Sequence, residues 1–211
     1  MITLSCPSCG GEINFKSKTT VFAVCSYCLS NIVRHDVDLD LIGKMAELPA
    51  DISPIQIGSY GKFEKNNIDV VGRVRVGWED GFWNEWFLYF SDGREAWLAE
   101  AQGDYAINFP LLENINVPPA EELSVGQVIN LTDNKPYRID DIKEIHCAGS
   151  EGELPFKAVL GRKSISVDLT HEDGSFACID YSKEEGIMIY QGKYIELDEL
   201  SLKNLREIEG W

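Results

Sequence analysis

Four cysteines offer the clearest chemistry in the sequence. Cys6-Pro7-Ser8-Cys9 and Cys25-Ser26-Tyr27-Cys28 form a C-x2-C-x15-C-x2-C array. Each pair fits a tight turn that directs two sulfurs to one point, and the spacer is long enough for a β-excursion between the turns. Four thiolates in a tetrahedron suit a structural Zn²⁺, and the spacing lies in the zinc-ribbon range; iron is the alternative occupant. Gly10 favours the first turn, because a residue without Cβ takes φ > 0 at little cost. Leu29 stands at the matching place in the second turn, where the same conformation is harder to adopt. Protein ligands fill all four positions, which leaves no place for a water, so one structural ion is expected and not a catalytic one. A ribbon of residues 1–35 is too small for a core of its own and would depend on its metal. A disulfide framework does not fit a start without a basic-then-apolar secretion pattern. A redox pair would open a helix in a βαβ setting, and no such setting is present.

The second candidate lies in Gly81-Phe82-Trp83-Asn84-Glu85-Trp86. In a strand, Trp83, Glu85, Phe87 and Tyr89 share one face, and Phe82, Asn84, Trp86, Leu88 and Phe90 share the other. Both faces are then largely apolar, as in a strand covered on both sides. Glu85 would sit among aromatics, where desolvation raises the pKa of a carboxylate. Three roles are open to it. It can pair with an arginine such as Arg73, Arg75 or Arg94, recognise a ligand or partner together with Trp83, Trp86, Trp97 and Glu100, or act as a general acid. Cys147 and Cys178 read as buried free thiols in strands, and His35, His146 and His171 show no ligand spacing with one another.

A mainly β scaffold must position these groups. The 211 residues are 44% hydrophobic and contain five Trp, eight Tyr and nine Phe, enough to build a core and to exclude disorder. Residues 36–54 read as a connector: Asp36, Asp38 and Asp40 alternate with apolar residues, Gly43 to Leu48 suit a short helical turn, and Pro49 and Pro54 punctuate the rest. From Ile55 onward, β-branched and aromatic runs of strand length are separated by Asp80-Gly81, Asp92-Gly93, Asp173-Gly174 and Gln191-Gly192. A weak repeat runs through them. Ile57-Gly58-Ser59-Tyr60 matches Val125-Gly126-Gln127-Val128, Asp92-Gly93 matches Asp173-Gly174, and Gln102-Gly103 matches Gln191-Gly192, always in the same order. Pro110, Pro118 and Pro119 fall between the copies. The expected organisation is therefore a zinc ribbon (1–35), a connector (36–54), a first β unit with the Trp-Asn-Glu-Trp stretch (55–118) and a related second unit with a short helical tail (119–211). Each unit would be a small barrel or sandwich.

Charge narrows the partners. Residues 1–35 hold Lys16, Lys18 and Arg34 against Glu12 alone, a charge of +2, so the body carries −18 of the chain's net −16. Such a surface repels a phosphate backbone, which argues against nucleic acid, and favours basic proteins or cations. No apolar run reaches the ~20 residues that a spanning helix needs, so direct membrane insertion is not expected.

Gly72-Arg73-Val74, Trp83-Asn84-Glu85-Trp86, Asp92-Gly93-Arg94, Trp97-Leu98 and Glu100-Ala101-Gln102-Gly103, behind a zinc ribbon, resemble a family of uncharacterised bacterial proteins defined by a domain of unknown function. The resemblance covers most of the chain and is strongest from Ile57 to Gly103. It implies a bacterial, cytoplasmic protein with a ribbon joined to β units, whose relatives are encoded beside polyamine-synthesis and small membrane-protein genes. It implies no reaction and no catalytic residue. The leading expectation is a non-enzymatic interaction or adaptor protein whose acidic β-body contacts a protein partner, membrane-associated or polyamine-related, or a polycation received by Glu85 and Glu100. The alternative is a carboxylate-based enzyme or small-ligand binder acting through Glu85. Against an enzyme stand the missing Ser/His/Asp or Cys/His set, phosphate-cradling glycine loop and open metal site.

Overall fold

Strands make up nearly every element, as the β-branched and aromatic runs require. The computed structural model describes residues 2–45, 48, 51–112, 115–131 and 135–208. The strands are β1 (Ile2–Ser5), β2 (Glu12–Phe15), β3 (Phe22–Val24), β4 (Ser30–His35), β5 (Asp38–Lys44), β6 (Tyr60–Phe63), β7 (Asn66–Trp78) and β8 (Gly81–Phe90). They continue with β9 (Glu95–Ala101), β10 (Asp104–Pro110), β11 (Val128–Asn130), β12 (Pro136–Leu154), β13 (Lys163–Thr170), β14 (Ser175–Ser182) and β15 (Gly186–Ile195). Short 3₁₀ turns lie at Ala120–Glu122 and Leu197–Leu200.

Eight strands close into an antiparallel barrel in the order β7-β8-β9-β10-β15-β14-β13-β12, with β12 returning to β7. Paired residues traced round the wall from Gly152 run through Gly72, Phe87, Trp97, Asn108, Gly192, Phe176 and Thr170, and regain β12 at Arg138. That stagger tilts the strands and widens the barrel enough to leave space inside. The expected pair of separate barrels or sandwiches is not formed: β7–β10 and β12–β15 are the two halves of one barrel. A four-stranded half on its own would expose two edges; the β10–β15 and β7–β12 pairings satisfy all four at once.

Hydrogen bonding shows the repeat directly. Gly58 and Gly126 share a φ of +87°. Gly58 N–H donates to Val70 O (2.9 Å) and Val70 N–H to Ser59 O (2.8 Å); Gly126 N–H donates to Ile139 O and Ile139 N–H to Gln127 O, both at 2.8 Å. The bulge after Val70 recurs after Ile139. Asp92-Gly93 and Asp173-Gly174 turn equivalent hairpins, after which Trp86 faces Leu98 in one half and Val167 faces Ile179 in the other. The third suspected match does not hold. Gln102-Gly103 forms the β9–β10 turn, whereas Gln191-Gly192 lies inside β15, and the matching turn glycine is Gly186. A two-residue match cannot distinguish a turn glycine from a strand glycine.

Each half buries its outer face under its own cover. In the first, Ile68, Val70, Trp86, Leu88 and Leu98 pack against Ile55, Phe63 and Leu200. In the second, Tyr137, Ile139, Val167, Leu169 and Ile179 pack against Val117, Leu123 and Ile129. The chain's tail returns to the first half, where Lys203 bridges Tyr60.

The ribbon is sewn onto this body. β1 and β2 form a hairpin, and β3-β4-β5 form a three-stranded extension whose β3 pairs with the end of β12. Glycines permit the crowding there: a Cβ on Gly72 would lie 1.9 Å from Glu153 O, and one on Gly152 2.2 Å from Val71 O. Buried Glu153 accepts the backbone N–H of Lys16 (2.9 Å) and of Ser17 (3.3 Å) and the hydroxyl of Thr20 (3.1 Å). The connector is more ordered than its composition suggests. Asp38–Lys44 is strand β5, with Gly43 opposite Asn31, and not the start of a helical turn. The acidic/apolar alternation is a strand period, and Asp36, at φ 54°, turns it back onto β4. Residues 46–47 and 49–50 of that expected turn and its flank lie outside the described residues.

Candidate functional site

The cysteines converge as their spacing predicts. The two turns are built alike: Gly10 N–H donates to Cys6 O and Leu29 N–H to Cys25 O, both at 2.9 Å, while the Cys6 and Cys25 amides bond Gly11 O and Ser30 O. Leu29 accepts a φ of 58°, the conformation that Gly10 takes at 76°. All four Sγ atoms lie within 4.8 Å of one another, with Cys6–Cys28 at 3.8 Å and Cys9–Cys25 at 3.7 Å. A tetrahedral zinc thiolate with Zn–S of about 2.3 Å places its sulfurs about 3.8 Å apart, so the donor set fits a metal ion of that kind.

A second feature was not legible as such. The barrel encloses a cavity of about 300 Å³. Strand alternation brings Trp83, Glu85, Trp97 and Asn108 to it from the first half, and Ser164, Ser166, Asp168, Cys178 and Asp180 from the second. At one end Trp97 of its wall joins a core with Phe87 and Leu154 of the barrel and Phe22, Val24, Val33 and Met45 of the ribbon and connector. The opposite end opens beside the β9–β10 turn, where the lining residues Ala101 and Asp104 are exposed. Trp83 Nε1 donates to Glu85 Oε1 at 2.7 Å. Burial pushes the Glu85 carboxyl up to about 7 against the pull of that hydrogen bond, and the charges of Asp168 and Asp180 push the same way. Burial likewise raises Asp168 and Asp180, and it raises the Cys178 thiol further with help from Asp168.

The arginine pairing expected for Glu85 is not found. Arg73 and Arg75 alternate with the lumen-facing Val74 and Val76, so they lie on the other side of the wall. There, under the cover of the first half, both donate to Asp51, which also accepts Arg206 at 2.5 Å. Burial alone would raise Asp51, but Arg73, then Arg206 and Arg75, hold it down at about 2. Asn84 Oδ1 accepts Arg73, and Asn84 Nδ2 reaches Glu100 at 3.0 Å. Trp86 Nε1 and the Tyr105 hydroxyl also donate to Glu100, at 2.8 and 3.2 Å. Arg94 pairs with Asp92. Of the five expected recognition residues, then, Trp83, Glu85 and Trp97 meet in the lumen, whereas Trp86 and Glu100 serve a buried network outside it. Trp86 is fully buried, so the Trp-Asn-Glu-Trp stretch is a wall strand and not a surface patch. Asp168, Cys178 and Asp180 lie in a half without a distinctive motif; the only available signal was that Val167, Leu169, Ala177 and Ile179 alternate with them.

Fold and site define an internally duplicated eight-stranded β-barrel, capped by a four-thiol ribbon that can hold a metal. The chain belongs to the family of the domain of unknown function DUF4178, whose model matches residues 56–197 and so spans both halves of the barrel. Among curated proteins and among solved structures, none matches the chain. No helix among the described residues is long and apolar enough to cross a membrane.

Proposed function

We propose that the protein is a non-enzymatic binding protein that holds a small ligand in its barrel lumen against Glu85, with a single structural zinc in the ribbon that packs at one end. One observation carries this reading: Glu85 lies on the wall of a cavity of about 300 Å³ and, among the described residues, forms no ion pair. That volume lies at the small end of ligand sites. The thiol in the same wall, Cys178, favours binding over catalysis, because burial and neighbouring carboxylates both oppose its thiolate. Four thiols held at metal-binding spacing support a reducing compartment, hence the cytoplasm. Native mass spectrometry of protein purified from its own cells tests the reading. A bound small molecule retained by wild type and lost from Glu85→Ala supports it; protein that is folded, metal-loaded and empty in every preparation overturns it.

A second reading, the adaptor, is favoured by β5, which among the described residues has a strand partner only on its β4 side, carries exposed Leu41 and Ile42 and follows exposed Val37. A tagged pull-down with a Cys25→Ser/Cys28→Ser variant in parallel tests it. A stoichiometric partner lost in the variant supports docking on the ribbon extension, and no partner from either protein removes it.

A further inference from the structure

The lumen carries more negative charge than it neutralises, and the way its charges are satisfied indicates what it is shaped to receive. Glu85, Asp168 and Asp180 line it, and none forms an ion pair among the described residues. Two cations, Lys143 and Arg162, also line it, but each makes its close ion pair with a carboxylate that does not: Lys143 with Asp141, and Arg162 with Glu184 at 3.3 Å. They act on Asp168 and Asp180 only at longer range. Two buried acceptors are left over in the same cavity wall. Asn108 is 5% exposed and its Oδ1 has no donor among the described residues; Asp180 Oδ1 has none either. One donor of the same wall, Arg162 Nε, is also left over among the described residues and bonds neither of them; a buried acceptor without a donor costs roughly 1–3 kcal/mol, so the two acceptors outnumber what the wall itself can supply.

Bare metal ions do not fit the arrangement. Among the described residues, only the four ribbon cysteines converge closely enough to share one ion. The lumen carboxylates share the cavity wall with Trp97, Phe156 and Tyr190, the last paired with Cys178 on the neighbouring strand. Such a wall suits a body with several N–H donors and an apolar remainder, because ammonium groups are attracted to carboxylates and to aromatic faces alike.

We propose that the lumen selects a small organic cation, a protonated amine whose ammonium group sits among Glu85, Asp168 and Asp180 and whose apolar part packs against Trp97, Phe156 and Tyr190. This rests on the reading of the lumen as the ligand site. Asn108 and Asp180 supply the free acceptors for its N–H donors. An anion of the same shape would meet three carboxylates, and a neutral one would leave them uncompensated.

Calorimetry with three compounds of one skeleton tests the charge: 4-phenylbutylamine, 4-phenylbutanol and 4-phenylbutyrate, added to the full-length, metal-loaded protein at pH 8. The expected order is amine, then alcohol about tenfold weaker or more, with no detectable butyrate binding. Asp180→Asn and Glu85→Gln should each weaken the amine about tenfold and narrow its advantage over the alcohol, with ribbon metal content as the control for folding. Equal binding of amine and alcohol, or preference for the butyrate, overturns the cation inference and leaves the lumen reading standing. Binding of none of the three overturns both. The wild-type series decides the question even if a variant fails to fold.

Discussion

The two halves of the barrel share a skeleton and differ in where they keep their polar groups. Outside the wall, the first half places Arg73, Asn84 and Glu100 around Asp51. Register puts Ile142, Ile165 and Tyr181 at the same positions in the second half, where they join an apolar core and Tyr181 donates to Pro118 O at 2.7 Å. Inside, the difference is reversed. Phe87, Trp97 and Ala99 of the first half correspond to Asp168, Cys178 and Asp180 of the second. The aliphatic framework, Val70 and Ile139, Leu88 and Leu169, Leu98 and Ile179, is what the fold demands, since it buries each half under its cover. The remaining positions are free to specialise. The outcome is a lumen in which the second half supplies Asp168, Cys178 and Asp180 where the first supplies Phe87, Trp97 and Ala99, and two outer faces held by different physics.

Four perturbations break or sharpen that contrast. The largest effect is expected from removing the metal, by chelation or by Cys25→Ser. The ribbon is too small to keep its structure alone, and metal binding contributes roughly 10–16 kcal/mol in comparable small modules. Because the ribbon packs on Val71, Phe87 and Trp97, hydrogen exchange should lose protection in β3–β5 and near Trp97 while β13 and β14 of the second half keep theirs. Equal loss in both halves would show that the halves are not independent of each other beneath the ribbon.

Next comes Asp51→Ala. It leaves Arg73 and Arg75, both buried, without their shared carboxylate, a change that typically costs about 3–5 kcal/mol. Urea denaturation should show a loss of that size. A change below about 1 kcal/mol would mean that the network is not what holds the cover of the first half.

Glu85→Gln tests the lumen through pH. The folded-state pKa of Glu85 lies near 7, above its unfolded value of 4.5. The folded protein therefore holds the proton more tightly, and stability present below pH 4.5 is lost as pH rises toward 7 and beyond. Asp168, Asp180, Cys178 and Tyr190 face Glu85, with Lys143 and Arg162 beyond them. The glutamine variant should melt higher than wild type at pH 8 and nearly equal to it at pH 4. A variant less stable than wild type at pH 8 would contradict the assignment.

The smallest effect belongs to Tyr181→Phe, which removes one hydrogen bond from the second half's cover. A loss of about 1 kcal/mol is expected, measured in the same urea series.

The sequence shows parts of this contrast and hides others for physical reasons. A four-thiol site is legible because its ligands are close in sequence and thiolate coordination tolerates few spacings. The two-faced strand from Phe82 to Phe90 is legible because strand periodicity is local. So are the first two repeat blocks, which mark turns. Closure of the two halves into one barrel is not, since the β10–β15 and β7–β12 pairings join residues far apart in the chain. Which face of a strand becomes a lumen depends on that closure, and so Asp168, Cys178 and Asp180 resemble ordinary strand residues until the barrel is complete. The arginines misled for the same reason. Proximity in sequence suggested Arg73 and Arg75 for Glu85, but in the paired strands they face Trp86 and Asn84.

The most direct test of the account is a carbon-13 NMR titration of the Glu85 carboxyl, in the free protein and with 4-phenylbutylamine. The account predicts a midpoint near 7 in the free protein, falling when the amine is added because a cation beside the group favours its charged form. A midpoint in the ordinary carboxylate range that the amine leaves unchanged would contradict it.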